Sequence, residues 1–385
     1  MKPHVLILTA GFGEGHNAAA RSLAAACDAA QGAETACVVD VFAAASPRVN
    51  AVARSLYLGM INRTPRLWSA VYAWVDRSQV LPQMRWMLGP ERRLLEKWIA
   101  RTGPAAIAST YPVYALILAD IACTRGLDVP FYNIVTDSIS INSLWWRAGG
   151  AGWFMPNEDS ADVLRRAGIE DDRLHVCGFP VAPFFAAHAG KLAPPELATG
   201  AAPRVLYIIN SGTQYAVETT RRLLAEPDWE VTCAVGRDET LRRRLVQLAE
   251  GRTRPAQILG WTHEIPRLLM THHVVVSKAG GATTQEAIAA RCPMIVNQIV
   301  PGQEEGNYEL LRRHGAGVLA ETPSAVITEL RTAFAEGGRG WLRWRTALAA
   351  LSRPEAAQGI ARHILSHSHS PEPIPRPLRL APMPA

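Results

Sequence analysis

HVVVSKAGGATTQEAIAA, residues 273–290, decides the fold. A β-branched run, HVVVS (273–277), meets the small residues around Lys278-Ala279-Gly280-Gly281 and then a helix-forming stretch, ATTQEAIAA (282–290). Strand, glycine turn and helix in that order make a βα unit, and such units stack their strands in parallel under a cover of helices. The small residues leave several N–H groups open at the helix start, where the macrodipole adds about half a positive charge. A diphosphate fits that chemistry. Glu286 lies about one turn into the helix, where a carboxylate can accept two hydrogen bonds from a ribose diol. It also reads as a solvated glutamate favoured by the helix dipole.

The same alternation extends both ways. RVLYIIN (204–210), WEVTCAV (229–235), AQILG (256–260) and PMIVN (293–297) are further strands, with helical stretches between them. Upstream, HVLILT (4–9), TACVVDVF (35–42), AAIAST (105–110) and PFYNIVTD (130–137) form a second block. The two blocks are separated by AGKLAPPELATGAAP (189–203), whose Pro, Gly and Ala content reads as a linker. The fold class expected is α/β, with two Rossmann-like domains facing across a cleft. They occupy residues 1–190 and 204–350, joined by a linker at 191–203 and followed by a C-terminal helix at 351–366. The tail at 367–385 ends in PEPIPRPLRLAPMPA, too proline-rich for a regular element. In open α/β sheets the ligand lies outside the carboxyl ends of the strands.

Composition agrees. The chain has 385 residues, 48% hydrophobic and 19% charged, which excludes wholesale disorder and supplies more than one core. The net charge of +6 fits an anionic small ligand, an anionic membrane surface or nucleic acid. The six cysteines include no C-x-x-C pair and read as free thiols in a reducing compartment. No run of apolar residues is long enough to span a bilayer, and the N-terminus lacks the pattern of a signal peptide. The expectation is a cytoplasmic protein whose membrane contact is peripheral.

Three further motifs sit where strands end. Gly11-Phe12-Gly13-Glu14-Gly15-His16 joins the first strand to the first helix. A dinucleotide fingerprint needs glycine where His16 stands, and the G-K-[ST] of a P-loop is absent. The turn therefore reads as a tight βα connection, and His16 as a capping residue or a neutral imidazole at a helix start. Val135-Thr136-Asp137-Ser138 brings a carboxylate out of a buried strand, as a general base or as a turn cap. Pro301-Gly302-Gln303-Glu304-Glu305-Gly306-Asn307 clusters donors and acceptors suited to sugar hydroxyls, or to capping a helix. Residues 54–101 hold nine Lys/Arg against Asp76, Glu91 and Glu96, with Trp68, Trp74, Trp86 and Trp98 among them. Basic residues beside tryptophans on amphipathic helices suit the surface of an anionic bilayer. They also read as core-packed tryptophans on solvated helices.

Together these residues resemble the monogalactosyldiacylglycerol synthase and processive diacylglycerol glucosyltransferase group of GT-B glycosyltransferases, glycosyltransferase family 28. Gly13 through Ala19 match its glycine-histidine start, Ser277 to Ala287 its S-K-A-G-G…E-A block, and Pro301 to Asn307 its P-G-Q-E-x-G-N block. The resemblance implies a hexosyltransferase that moves sugar from UDP to a lipid acceptor, diacylglycerol, with inversion. Gly280, Gly281 and Thr283 would face the diphosphate and Glu286 the ribose. Gln303, Glu304 and Asn307 would meet the sugar or nearby phosphate, and Gly260-Trp261-Thr262 the uracil. Asp137 matches the base, and His16 matches the histidine of the glycine loop formed with Gly13 and Gly15. Trp145 and Trp146 are expected at the acceptor entrance, and Trp68, Trp74 and Trp86 at the membrane.

Two stretches depart from the family pattern. Glu14 interrupts the glycines, and Ile209-Asn210-Ser211-Gly212-Thr213-Gln214 replaces a glycine-rich turn, with Ser211 and Gly212 placed near the donor. No resident cofactor, metal or nucleic acid is expected. The partners expected are a UDP-sugar, a lipid and the inner face of the plasma membrane. Another UDP-sugar enzyme on this fold (an epimerase, or a transferase to a non-lipid acceptor) and a non-catalytic nucleotide-sugar-binding regulator remain as alternatives.

Overall fold

A computed structural model describes residues 4–63, 85–209, 215–254, 256–302 and 304–367. The chain forms two compact units. One is drawn from residues up to Pro183 and from Glu355 onward, the other from Phe184–Pro354.

The first unit holds β1 (Val5–Thr9), β2 (Ala36–Asp40), β3 (Ala106–Ser109), β4 (Phe131–Ile134), β5 (Gly152–Met155) and β6 (Leu174–Val176). They pair in parallel in the order β2-β1-β3-β4-β5-β6. Val5 through Leu8 have no exposed surface, as expected of a strand covered on both faces. Val5 and Ile7 face a core shared with the helices Glu14–Gln31 and Ala356–His367. Leu6 and Leu8 face the opposite core, shared with Gly89–Thr102 and Val113–Arg125. The period of two along one strand thus builds two layers.

The C-terminal helix, Ala356–His367, packs in this first unit. Ala357, Ile360, Ala361 and Ile364 lie against Ala20, Leu23 and Cys27 of Glu14–Gln31. Alanines on the facing surface let the two backbones approach closely.

The second unit holds β7 (Arg204–Ile208), β8 (Glu230–Ala234), β9 (Gln257–Leu259), β10 (Val274–Lys278), β11 (Met294–Gln298) and β12 (Gly317–Leu319). The order is β9-β8-β7-β10-β11-β12, again all parallel. By rank in the chain this is 3-2-1-4-5-6, the doubly wound order whose ligand crevice opens where the winding reverses, here between β7 and β10. In the first sheet the reversal lies between β1 and β3.

The segment expected to be a linker is anchored to the second unit. Leu197 is buried in its core beside Val205 and Trp341. Pro195 O accepts a 2.8 Å bond from His273 Nε2, while His273 Nδ1 accepts from the Arg204 N–H at 2.9 Å. That ring is therefore neutral, with its proton on Nε2. Its neighbour His272 bonds Leu268 O at 2.7 Å and Thr232 Oγ1 at 3.0 Å.

Burial pushes both imidazoles down to about 4. An unfolded chain protonates such groups near 6.5, so below that pH it takes up protons that the folded unit refuses. Stability contributed by the pair is complete above about pH 6.5 and is lost as pH falls toward 4, by up to about 3 kcal/mol per ring. The urea midpoint of the second unit is expected to drop between about pH 7 and about pH 5. A His273→Asn protein would show a smaller drop; equal drops would contradict the assignment.

Candidate functional site

In the first unit, the loops after β1, β3 and β4 converge at the winding reversal. Gly11 N–H donates to Asp40 Oδ2 at 2.9 Å, and Asp40 Oδ1 caps the next helix by accepting from Ala43 N at 2.9 Å. The helix Glu14–Gln31 starts at Gly13 with no side-chain cap. Among the described residues Glu14 makes an exposed pair with Arg21, which contributes little.

His16 is buried on the inner side of this helix. Its Nδ1 lies 2.7 Å from Thr110 O and 2.9 Å from Thr136 Oγ1. A carbonyl only accepts, so Nδ1 carries the proton and Nε2 keeps its lone pair. Tyr111 packs edge-on against the ring at 5.1 Å. Burial holds the imidazole below its usual pKa, opposed by the charge of Asp137.

Asp137 stands three residues past the end of β4 and accepts a 2.7 Å bond on Oδ2 from Trp145 Nε1. Burial raises its pKa, while the nearby His16 and the Trp145 bond pull it back. The charge of each opposes the shift that burial imposes on the other, so the fold sets His16 near Asp137, though they stand 121 positions apart in the sequence. Two residues on, Ile139 has φ +55°, a left-handed conformation that a β-branched residue adopts only under constraint. Ser160 Oγ supplies the constraint by accepting from Ile139 N at 3.1 Å, and Asn157 in turn caps Ser160.

Trp145 does not line an entrance as expected. It has no exposed surface and packs among Val135, Trp153 and Leu164. Trp146, one residue on, is half-buried against the same cluster.

In the second unit the carboxyl ends of β10 and β11 form the corresponding turn. Gly280 caps the helix Gly281–Ala290 in extended conformation, with no side-chain cap. Gly281, Thr283 and Glu286 are half-buried on this start, and Thr284 is fully inside. Glu304 and Asn307 are buried, against the expectation that their side chains meet the sugar. Glu304 Oε1 pairs with Lys278 Nζ and Oε2 accepts from Val300 N at 3.0 Å. Asn307 Nδ2 donates to Ala279 O at 2.9 Å, and its buried Oδ1 has no partner among the described residues. Both residues brace the turn from behind.

Lys278, which sequence reasoning did not single out, reaches the same turn: its Nζ lies 3.8 Å from where a Cβ on Gly280 would stand. Its place in the S-K-A-G-G block was the available signal. After β9, Gly260 is followed by Trp261, 57% exposed, with the Arg237 guanidinium 5.7 Å from its ring centroid. Thr262 Oγ1 accepts from Glu264 N at 3.0 Å, shaping the turn into Ile265–Thr271. Ser211, Gly212, Gln303, Trp68 and Trp74, together with the Trp86 side chain, lie outside the described residues.

On the first unit's surface, Val49, Val52 and Leu56 of the helix Pro47–Arg63 are 70%, 60% and 62% exposed. Their spacing puts them on one face, a signal that the reading of charges and tryptophans passed over. Arg93, Lys97 and Arg101, each a turn apart along Gly89–Thr102, are exposed and pair with no carboxylate among the described residues. Arg92 is committed elsewhere, to Glu96, Asp120 and Thr124. Trp98 packs into the core. Among the described residues no helix is long and apolar enough to cross a membrane, and no group of three or more His, Cys, Asp or Glu is placed to hold a metal.

The profile of the monogalactosyldiacylglycerol (MGDG) synthase family matches residues 16–181, the stretch that carries His16, Asp137 and Trp145. The processive diacylglycerol beta-glucosyltransferase of Bacillus cytotoxicus is 26% identical over 373 residues, covering 96% of this chain and 95% of that one. The enzyme of the same name from Bacillus cereus strain AH187 is 25% identical over 378 residues, covering 97% and 96%. Among solved structures, S. aureus MnaA with UDP superposes with TM-score 0.62 at 12% identity, covering 95% of this chain and 97% of that one. The glycosyltransferase SnogD from Streptomyces nogalater gives TM-score 0.54 at 17% identity, covering 96% and 100%. These likenesses show the two-domain GT-B fold.

Proposed function

We propose that this chain, a relative of the monogalactosyldiacylglycerol synthases and processive diacylglycerol glucosyltransferases, transfers a hexose from a UDP-sugar to diacylglycerol with inversion. The observation that carries the reading is the buried His16 set beside the half-buried Asp137 at the winding reversal of the unit whose sequence matches the synthase family.

Asp137, ionised, removes the proton of the acceptor hydroxyl. The hydroxyl oxygen forms the new bond to the anomeric carbon as the bond from that carbon to the diphosphate oxygen breaks. His16, neutral with Nε2 bare, supports the base from beside it. The leaving UDP gathers negative charge at the start of Gly281–Ala290, where open N–H groups and the Lys278 ammonium oppose it. Each well-placed donor of this kind contributes ~3–4 kcal/mol to the transition state. Glu286 takes the ribose, and the exposed Trp261 offers a flat partner to the uracil. The UDP-sugar enters as substrate, and the displacement written here calls on no resident cofactor. Release of UDP from UDP-glucose or UDP-galactose tests the reading. It is expected only when diacylglycerol vesicles are present, and release that ignores the lipid would point to a soluble acceptor or to hydrolysis.

The apolar face of Pro47–Arg63 and the basic edge of Gly89–Thr102 make an interfacial dock on the inner leaflet. A leucine buried in lipid is stabilised by about 1.5–3 kcal/mol, so Leu56→Glu is expected to weaken binding to anionic vesicles at least about tenfold. Raising salt weakens the wild type as the basic groups are screened. Flotation measures both. Equal flotation of the Leu56→Glu protein would remove this face from the contact.

A further inference from the structure

Trp145 is held more firmly than packing alone requires. Its backbone oxygen accepts a 2.6 Å bond from Trp153 Nε1. The Trp153 ring is covered by the Arg173 guanidinium at 4.8 Å, and Arg173 also donates to Gly150 O. Neither indole has any exposed surface. The only hydrogen bond made by the Trp145 indole goes to Asp137 Oδ2, and an indole N–H can only donate. Asp137 Oδ1 accepts no hydrogen bond among the described residues. A half-buried carboxylate free to turn would offer either oxygen. This one is fixed by a donor that cannot itself turn.

We propose that Trp145 is the positioning residue for Asp137: its indole N–H holds Oδ2 and leaves Oδ1 as the oxygen that meets the acceptor hydroxyl. The proposal rests on Asp137 being the base of the transfer proposed above. Trp145 touches no substrate in this account. It acts through the carboxylate, by keeping one rotamer and by favouring the charged form against the surrounding apolar cluster.

Trp145→Phe keeps most of the ring and removes the N–H. It is expected to lower kcat at neutral pH roughly tenfold to a hundredfold, the range of a hydrogen bond to a charged group. The acid limb of kcat/KM moves to higher pH, while KM for the UDP-sugar and the Kd for UDP stay within about twofold, because Trp145 and the glycine turn belong to different units. In an Asp137→Asn background the same change is expected to cause little further loss, whereas a purely structural role would damage both backgrounds alike. The Asp137 carboxyl, followed by carbon-13 NMR of aspartate-labelled protein, should titrate higher in Trp145→Phe than in the wild type. That readout needs no turnover, so it decides the role of Trp145 even if the wild type transfers no sugar, an outcome that would sink the function and not this bond. If Trp145→Phe does not fold, Trp153→Phe, which removes only the bond to the Trp145 carbonyl, must shift the same titration in the same direction by less. An unmoved acid limb together with an unmoved carboxyl titration overturns the proposal.

Discussion

Asp137→Asn will lower kcat by roughly 10²–10⁴-fold, the usual contribution of a positioned general base. The substitution isolates the chemistry because asparagine keeps the shape of the side chain. Its amide oxygen can still accept the 2.7 Å bond from Trp145, but it cannot take a proton. Binding of UDP, proposed above for residues of the other unit, is expected to change by less than about twofold. The wild type carries a second signature of the same group. Burial raises the Asp137 pKa, so activity should fall with acid at a pH above that of an ordinary carboxylate, near 3.9. The asparagine protein should lose that limb. Lipid-dependent UDP release across pH measures both. If Asp137→Asn stays within about threefold of the wild type, the proton goes elsewhere, and the bare Nε2 of His16 becomes the candidate base.

Glu304→Ala will destabilise the second unit and abolish donor binding. Glu304 is buried and engaged at both oxygens, by Lys278 and by the Val300 N–H. Removing one partner of such a pair strands the other charge, at about 3–5 kcal/mol. For a unit of this size that lowers the melting temperature by roughly 6–20 °C. Lys278 and the glycine turn lose their brace together, because Lys278 directly precedes Ala279 and Gly280 in the chain. Glu304→Gln keeps the shape and one acceptor for Val300, and is expected to recover part of the stability. The comparison separates geometry from charge. A Glu304→Ala protein that melts with the wild type would show that the pair is not structural, and would return Glu304 to direct contact with the sugar.

Most of the strands that could be read from sequence carry an unbroken run of β-branched or apolar residues, such as HVLILT and HVVVS. Three strands escaped. LHV in β6 and GVL in β12 are three residues each, as is β9, which was read only from the longer stretch AQILG. GWFM in β5 follows Gly149-Gly150, which reads as a turn. The apolar face of Ala356–His367 was recognisable as helical, but an apolar stripe does not say which core it covers.

The site divides in the same way. His16 and Asp137 were legible because each follows a strand end, where the fold delivers side chains to the ligand edge. The role of Trp145 was not. Two consecutive tryptophans on a helix point about 100° apart, so one turns inward and the other half out, and composition alone cannot say which. The bracing role of Glu304 and Asn307 depends on their reaching back to Lys278 and Ala279 at the end of β10, a non-local contact that no spacing encodes. Lys278 lies inside the S-K-A-G-G block, but only its position beside Gly280 puts its charge at the turn.

The lipid product formed from UDP-glucose or UDP-galactose and diacylglycerol tests the central claim most directly, through the coupling constant of its anomeric proton. The account predicts a hexose on the free hydroxyl of diacylglycerol in the β configuration, opposite to that of the α-linked donor. An α-linked product would contradict direct displacement. A UDP-sugar isomerised with the lipid untouched would contradict the transferase reading.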